Sequence, residues 1–300
     1  HDDLGRFEDA VRSERGETNG AIPIRPFFDL RPYGFQQQIL DDLAAERASG
    51  RHRHLVIAAT GTGKTLLAAF DYQRVCREAG GSRLRLLFLA HRKELLEQAR
   101  HSFREVLRDD GFGELVVDGG RAQQGDHLFC SVQSWRSQEL DQLDPAHFDY
   151  VVLDEAHHGS ASSYQAILRH LRPRILLGLT ATPERMDSID IRADFGGSYS
   201  HELRLPDAVE ARLLAPFHYY GIDDHPDVDL SKVRWSAGRY EPAQLERVFG
   251  GNDARALWIL RQLHEHVANP RQIRALGFCV NQAHAGFMAK YFNDRGIPSI

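Results

Sequence analysis

The stretch Ala58-Ala59-Thr60-Gly61-Thr62-Gly63-Lys64-Thr65 decides the reading of this chain. An apolar run, residues 54–59, leads into it, and the helical pattern Leu66-Leu67-Ala68-Ala69-Phe70 leads out. Strand, glycine turn and helix in that order are what a phosphate-binding loop requires. Gly61 and Gly63 let the backbone of Ala59, Thr60 and Thr62 curl its N–H groups inward, and the new helix adds its positive N-terminal end. Lys64 is then within reach of the β- and γ-phosphates of ATP, and the Thr65 hydroxyl is suited to Mg2+. The competing reading is a chance glycine-rich turn before a helix.

At 300 residues, with 42% apolar and 26% charged residues, the chain has the composition of a globular protein of about two domains. No apolar run approaches the length of a membrane helix, and no membrane role is expected. Cys76, Cys130 and Cys279 stand far apart in apolar contexts, as buried reduced thiols of a cytoplasmic protein would. The net charge of −5 does not advertise a nucleic-acid binder, but a local stripe matters more than the sum. The chain opens on His1, so residues 1–27 are expected to be a tail or linker from a preceding segment.

After Pro32 a helical pattern places Phe35, Ile39, Leu40 and Leu43 on one face, with Gln36 just ahead of it. A glutamine amide offers the donor and acceptor that suit the edge of adenine. Beyond the loop, apolar runs at 84–90, 128–132, 150–153 and 175–179 alternate with helical stretches at 93–107 and 162–171. This predicts an α/β fold with a doubly wound parallel sheet over 28–200, its ligands at the C-terminal strand ends. Near residue 200 the character changes. Strands are expected at 215–222, 274–280 and 297–300, with helices at 252–266 and 284–293, as a second α/β domain over 201–300 that begins and does not finish.

Residues 151–157 end a buried strand on Asp154 and Glu155. Beside a phosphate loop, diverging carboxylates there divide the work: Asp154 on the metal with Thr65, Glu155 on the attacking water. An ordinary solvated acidic pair is the competing reading. His157 is read as a hydrogen-bonding link from this site to Thr180 and Thr182. The His52/His54 and His264/His266 pairs lack partners at ligand spacing and are read as surface residues. Arg83, Arg85, Arg92, Lys93, Arg100, Arg104 and Arg108 surround one strand–helix unit, as a phosphate-facing stripe or as a solvated face paired with Glu94, Glu97 and Glu105.

Assembled, these residues resemble the DEAH-type branch of superfamily 2 helicases and translocases. The matching segments are Gln36 in PYGFQ, a Walker A loop at 58–65, AHRKEL at 90–95, SVQS at 131–134, the DEAH box at 154–157 and TATPER at 180–185. FCVNQAH at 278–284 is similar to the first motif of the family's second motor domain. Motors of restriction and bacterial defence systems are the nearest in flavour. The resemblance implies two RecA-like domains, the second partial, with Mg-ATP hydrolysis by Lys64, Asp154, Glu155 and His157. It implies nucleic acid, DNA rather than RNA, on Arg92, Lys93, Gln133 and Ser134, and coupling through Thr180 and Thr182. A nuclease or accessory domain in a longer protein is expected, and, with the second domain's arginine finger absent, weak turnover by these 300 residues alone. A clamp without translocation and an inactive structural NTPase are the rival functions.

Overall fold

The computed structural model describes residues 29–137, 140–156, 162–183, 190–226, 228–236 and 239–300. The chain forms two compact units, residues 1–215 and 216–300. The expected boundary at 200 therefore moves: residues 201–215 belong with the first unit.

In chain order the first unit contains α1 (Gly34–Ala48), β1 (Arg53–Ala58), α2 (Lys64–Glu78), β2 (Leu86–Ala90), α3 (Lys93–Leu107), β3 (Glu114–Val116) and β4 (His127–Ser131). It continues with α4 (Val132–Ser137), β5 (Tyr150–Leu153), α5 (Ser162–His170), β6 (Ile175–Thr180), β7 (His201–Leu203) and α6 (Leu205–Glu210). The strands form a seven-stranded sheet in the order β3-β4-β2-β5-β6-β1-β7. Every pairing in it is parallel.

The apolar runs are continuous because both faces of the sheet are covered. Val56, Ala58, Leu86, Phe88 and Val152 pack with α1, α2 and α3 on one side. Leu55, Ile57, Leu87, Leu89 and Val151 pack on the other, against Tyr164, Ile167 and Leu171. Gly178 sits in mid-strand for a packing reason: a Cβ there would lie 2.6 Å from the Phe195 ring.

Two buried polar networks fasten the helical layer. Arg47 of α1 makes a two-pronged pair with Asp71 of α2, at 3.0 and 2.9 Å, and the Tyr150 hydroxyl donates to the same carboxylate at 2.6 Å. Glu46 collects Arg51, His54 and Ser200, tying α1 to the strands beneath it. His54 is thus wholly buried, which corrects its reading as a surface residue.

Burial holds the His54 imidazole below its usual pKa, against the opposing pull of Glu46, so the ring is neutral and donates from Nδ1. Burial acts the same way on His127 and His284. The unfolded chain takes up these protons below about pH 6.5 while the native chain resists. Stability is therefore present above that pH and lost as pH falls below it. Melting followed between about pH 8 and pH 5.5 is expected to show the loss. His54→Gln should melt lower at pH 8 but show a shallower acid decline; an unchanged decline would remove His54 from the account.

The second unit has a two-stranded antiparallel hairpin, β8 (Trp235–Ser236) and β9 (Arg239–Tyr240), followed by α7 (Pro242–Phe249), α8 (Asp253–His266) and α9 (Gln282–Asn293). Asn252 and Asn281 cap α8 and α9 by accepting from the backbone N–H groups of Arg255 and His284. Ala256, Leu260, Met288, Tyr291 and Ile297 form its small core. The strands expected at 215–222, 274–280 and 297–300 are not formed: no ladder pairs these segments among the described residues. Phe278 is accordingly 95% exposed, since an apolar run becomes a buried strand only where a neighbour supplies hydrogen bonds and a face.

Candidate nucleotide and nucleic-acid site

Parallel pairing brings the ends of distant segments to one edge. The C-terminal end of β1 carries the glycine loop, β2 carries His91, Arg92 and Lys93, and β4 carries Ser131, Gln133 and Ser134. At the same edge β5 carries Asp154 and Glu155, and β6 runs into Thr180 and Thr182. In register Ile57 pairs with Thr180, and Leu153 with Gly178. Thr180 therefore stands between the loop and Asp154, which are two strands, about 10 Å, apart.

The loop has the backbone its glycines allow. Gly61 and Gly63 both have positive φ, 92° and 80°, and Gly63 caps α2 in the left-handed region. A Cβ on Gly63 would meet the Gln36 amide nitrogen at 2.8 Å. Thr62 folds back on the Ala59 carbonyl through its hydroxyl at 2.7 Å, and β7 accepts from the Ala59 N–H through Leu203. Thr60 is exposed, while Lys64 and Thr65 are half-buried. The Lys64 ammonium donates to the Ala58 carbonyl at 3.2 Å, so the charge already lies over the loop. Left-handed glycines, a helix N-terminus and a lysine folded over them fit a triphosphate, and the Thr65 hydroxyl with the Asp154 carboxylate fit a hard cation.

Asp154 is 6% exposed, and its N–H continues the sheet by donating to Leu89 at 2.9 Å. Its Oδ1 accepts from the Glu155 N–H at 3.1 Å. Glu155 itself is left-handed, with φ 52°. Thr180 is fully buried and its hydroxyl accepts from the Thr182 N–H at 3.2 Å, bending the chain out of the sheet. His157 lies outside the described residues.

Three sequence expectations change. Gln36 is 2% exposed; its oxygen accepts from the Tyr33 N–H and its nitrogen donates to the Thr62 carbonyl. It braces the loop from behind instead of presenting an open adenine edge. Ser134 is buried, its hydroxyl accepting from Ser131, so it shapes the turn after β4 and leaves Gln133 on the surface.

The cationic cluster, open between a phosphate-facing stripe and a solvated paired face, is mostly the second, though with partners other than Glu94, Glu97 and Glu105. Arg85 is held by Asp149, Arg104 by the Phe112 and Gly113 carbonyls, Arg108 by Asp29, and Arg83 by Asp109 with its guanidinium over Phe112. Arg92 remains exposed, and Lys93 is exposed but paired at 3.3 Å with Asp118. Among the described residues no cluster of three or more metal-ligating side chains appears. The residue that sequence reasoning passed over is Tyr164. Its only signal was its place on the buried face of α5.

A parallel sheet with a glycine loop, an acidic strand end and a bent threonine strand end on one edge is the arrangement of a RecA-like motor domain of the superfamily 2 helicase type. More particularly, the chain belongs to the family "Type III restriction enzyme, res subunit", whose model matches residues 28–185, just over half its length.

The chain is 28% identical over 240 residues to the "Type I restriction enzyme EcoAI endonuclease subunit" of Escherichia coli, covering 75% of this chain and 29% of that protein. It is also 28% identical over 291 residues to a Schizosaccharomyces pombe protein assigned as the mitochondrial ATP-dependent helicase irc3, covering 94% of this chain and 46% of that protein. A fragment structure assigned as the HsdR subunit of a type I restriction enzyme from Vibrio vulnificus YJ016 shares its fold, with a TM-score of 0.59 at 21% identity, over 96% of this chain and 50% of that one. The chain thus spans at most about half the length of these relatives.

Proposed function

We propose that this chain is the ATP-driven part of a nucleic-acid motor that couples Mg-ATP hydrolysis to movement along duplex DNA. The observation that carries the reading is the convergence of the glycine loop, Asp154–Glu155 and Thr180–Thr182 on one sheet edge. The loop N–H groups and Lys64 bind the terminal phosphates. Thr65 and Asp154 would hold Mg2+, which would supply neutralisation of phosphate charge there. Glu155 orients the attacking water and takes its proton. Thr180 and Thr182, between the loop and the strand ends that carry Arg92, Lys93 and Gln133, pass the change along the edge. Restriction subunits among the relatives favour DNA and a nuclease or accessory module beside the motor. No described helix is long and apolar enough to cross a membrane, and unpaired Cys76, Cys130 and Cys279 fit a cytoplasmic setting.

ATP hydrolysis with and without a mixed-sequence duplex, together with displacement of a bound third strand, tests the motor. Weak turnover is expected of these 300 residues alone, and stimulated hydrolysis with displacement of a chain that carries both motor domains; hydrolysis without displacement would make the protein a clamp. Binding should be salt-sensitive through Arg92 and Lys93, which are exposed. Arg92→Gln with Lys93→Gln should flatten the log–log salt dependence by about 1.8, or roughly tenfold of the affinity lost between about 50 and 200 mM salt. An unchanged slope in a fluorescence-anisotropy titration would place the phosphate contacts elsewhere.

A further inference from the structure

We propose, resting on the motor reading, that Tyr164 is a positioning residue joining the nucleic-acid segment His91–Lys93 to the peptide unit that aims Glu155. Tyr164 is fully buried on α5 and touches both. Its hydroxyl donates to the Asp154 carbonyl at 3.4 Å, and its ring meets the His91 ring in an edge-on contact with centroids 4.9 Å apart. The two segments it spans are neighbours already, since β2 and β5 pair through Leu89 and Leu153, and the Asp154 N–H donates to the Leu89 carbonyl.

The contact falls where backbone geometry is demanding. Glu155 is a β-carbon residue held at φ 52°, a conformation that L-residues disfavour. The peptide unit between Asp154 and Glu155 sets this angle, and it is gripped at both ends. Asp154 Oδ1 accepts from its N–H, and Tyr164 donates to its carbonyl. Release of the carbonyl lets the unit rotate toward an ordinary conformation and swings the Glu155 carboxylate off line. The phenol is suited to permanent donation: burial, with the Asp154 and Glu155 charges nearby, raises its pKa far above neutrality.

His91 directly precedes Arg92 and Lys93, so a strand drawing on those cations shifts the imidazole against the Tyr164 ring. The ring passes that displacement to the Asp154 carbonyl. Nucleic-acid engagement and the aim of the water-activating carboxylate become one mechanical event within a single domain.

Tyr164→Phe keeps the ring and deletes the donor. Its duplex-stimulated kcat should fall about tenfold or more, because small misplacements of a catalytic group are costly. Its KM for ATP and its duplex affinity should stay within about twofold of wild type. Its melting midpoint should stay within about 3 °C. His91→Ala should lose most of the duplex stimulation of kcat, and His91→Phe, which restores a ring edge, should recover it. Wild-type kcat in Tyr164→Phe, or a fall in kcat matched by falls in ATP affinity and melting midpoint, would overturn the proposal. Absence of ATP turnover in the wild-type protein would instead overturn the motor reading on which it rests.

Discussion

Glu155→Gln is expected to bind Mg-ATP as the wild type does and to turn it over about 10²- to 10⁴-fold more slowly, the usual worth of a positioned general base. The substitution is nearly isosteric and leaves the backbone N–H that Asp154 Oδ1 holds at 3.1 Å. The left-handed turn at φ 52° therefore persists, and only the proton-accepting oxygen is lost. Lys64→Ala should behave in the opposite way. Removing the ammonium that lies over the loop, 3.2 Å from the Ala58 carbonyl, should abolish nucleotide binding itself. Titration calorimetry with ATP, read beside phosphate release, separates the two. Loss of Mg2+-dependent binding in Glu155→Gln would mean that Glu155 and not Asp154 takes the metal. Unchanged binding in Lys64→Ala would remove the phosphate loop from the account.

Asp71→Ala should cost about 3–5 kcal/mol of folding stability, the typical result of leaving a buried charge without its partner. Asp71 is fully buried and Arg47 is 7% exposed at its side chain, so neither has water to fall back on. The change strands the guanidinium and also orphans the Tyr150 hydroxyl, which donates to the same carboxylate. Against a total of about 5–15 kcal/mol for a typical domain, much of the native population is at stake. Urea unfolding should show the midpoint fall. Replacing the pair together, Arg47→Met with Asp71→Leu, should recover most of the loss, because two apolar groups leave no charge to solvate. A single variant with near-wild-type stability would show that water reaches Arg47.

These experiments divide along the line between what neighbours in sequence settle and what they do not. The backbone of the glycine loop was legible because its requirements are local: two glycines at left-handed angles, a strand before and a helix after. The parallel sheet was legible because strands covered on both faces read as unbroken apolar runs, from the strand of Leu86 to that of Ile175. The acidic strand end at Asp154 followed from its place after such a run, and the threonines at 180 and 182 from the resemblance to a motor family.

Other assignments depended on partners far along the chain. Arg108 was open to reading as a phosphate contact or a solvated cation, and Asp29, 79 residues away, holds it. Arg85 is held by Asp149, 64 residues away. Gln36 lay near the loop as expected, but its hydrogen bond to the Thr62 carbonyl turned it inward. His54 gave no sign that it would be buried and paired with Glu46, and the run through Phe278 gave none that it would stand unpaired. The sequence by itself determined the glycine turn, the alternation of strands and helices along the chain and the residue types at the strand ends. Only the tertiary structure decided which cations stay outward, which polar groups brace the site and how Tyr164 spans two strand ends. Backbone conformation at a glycine turn is a property of adjacent residues, whereas the pairing of a charge is a property of whatever the fold brings beside it.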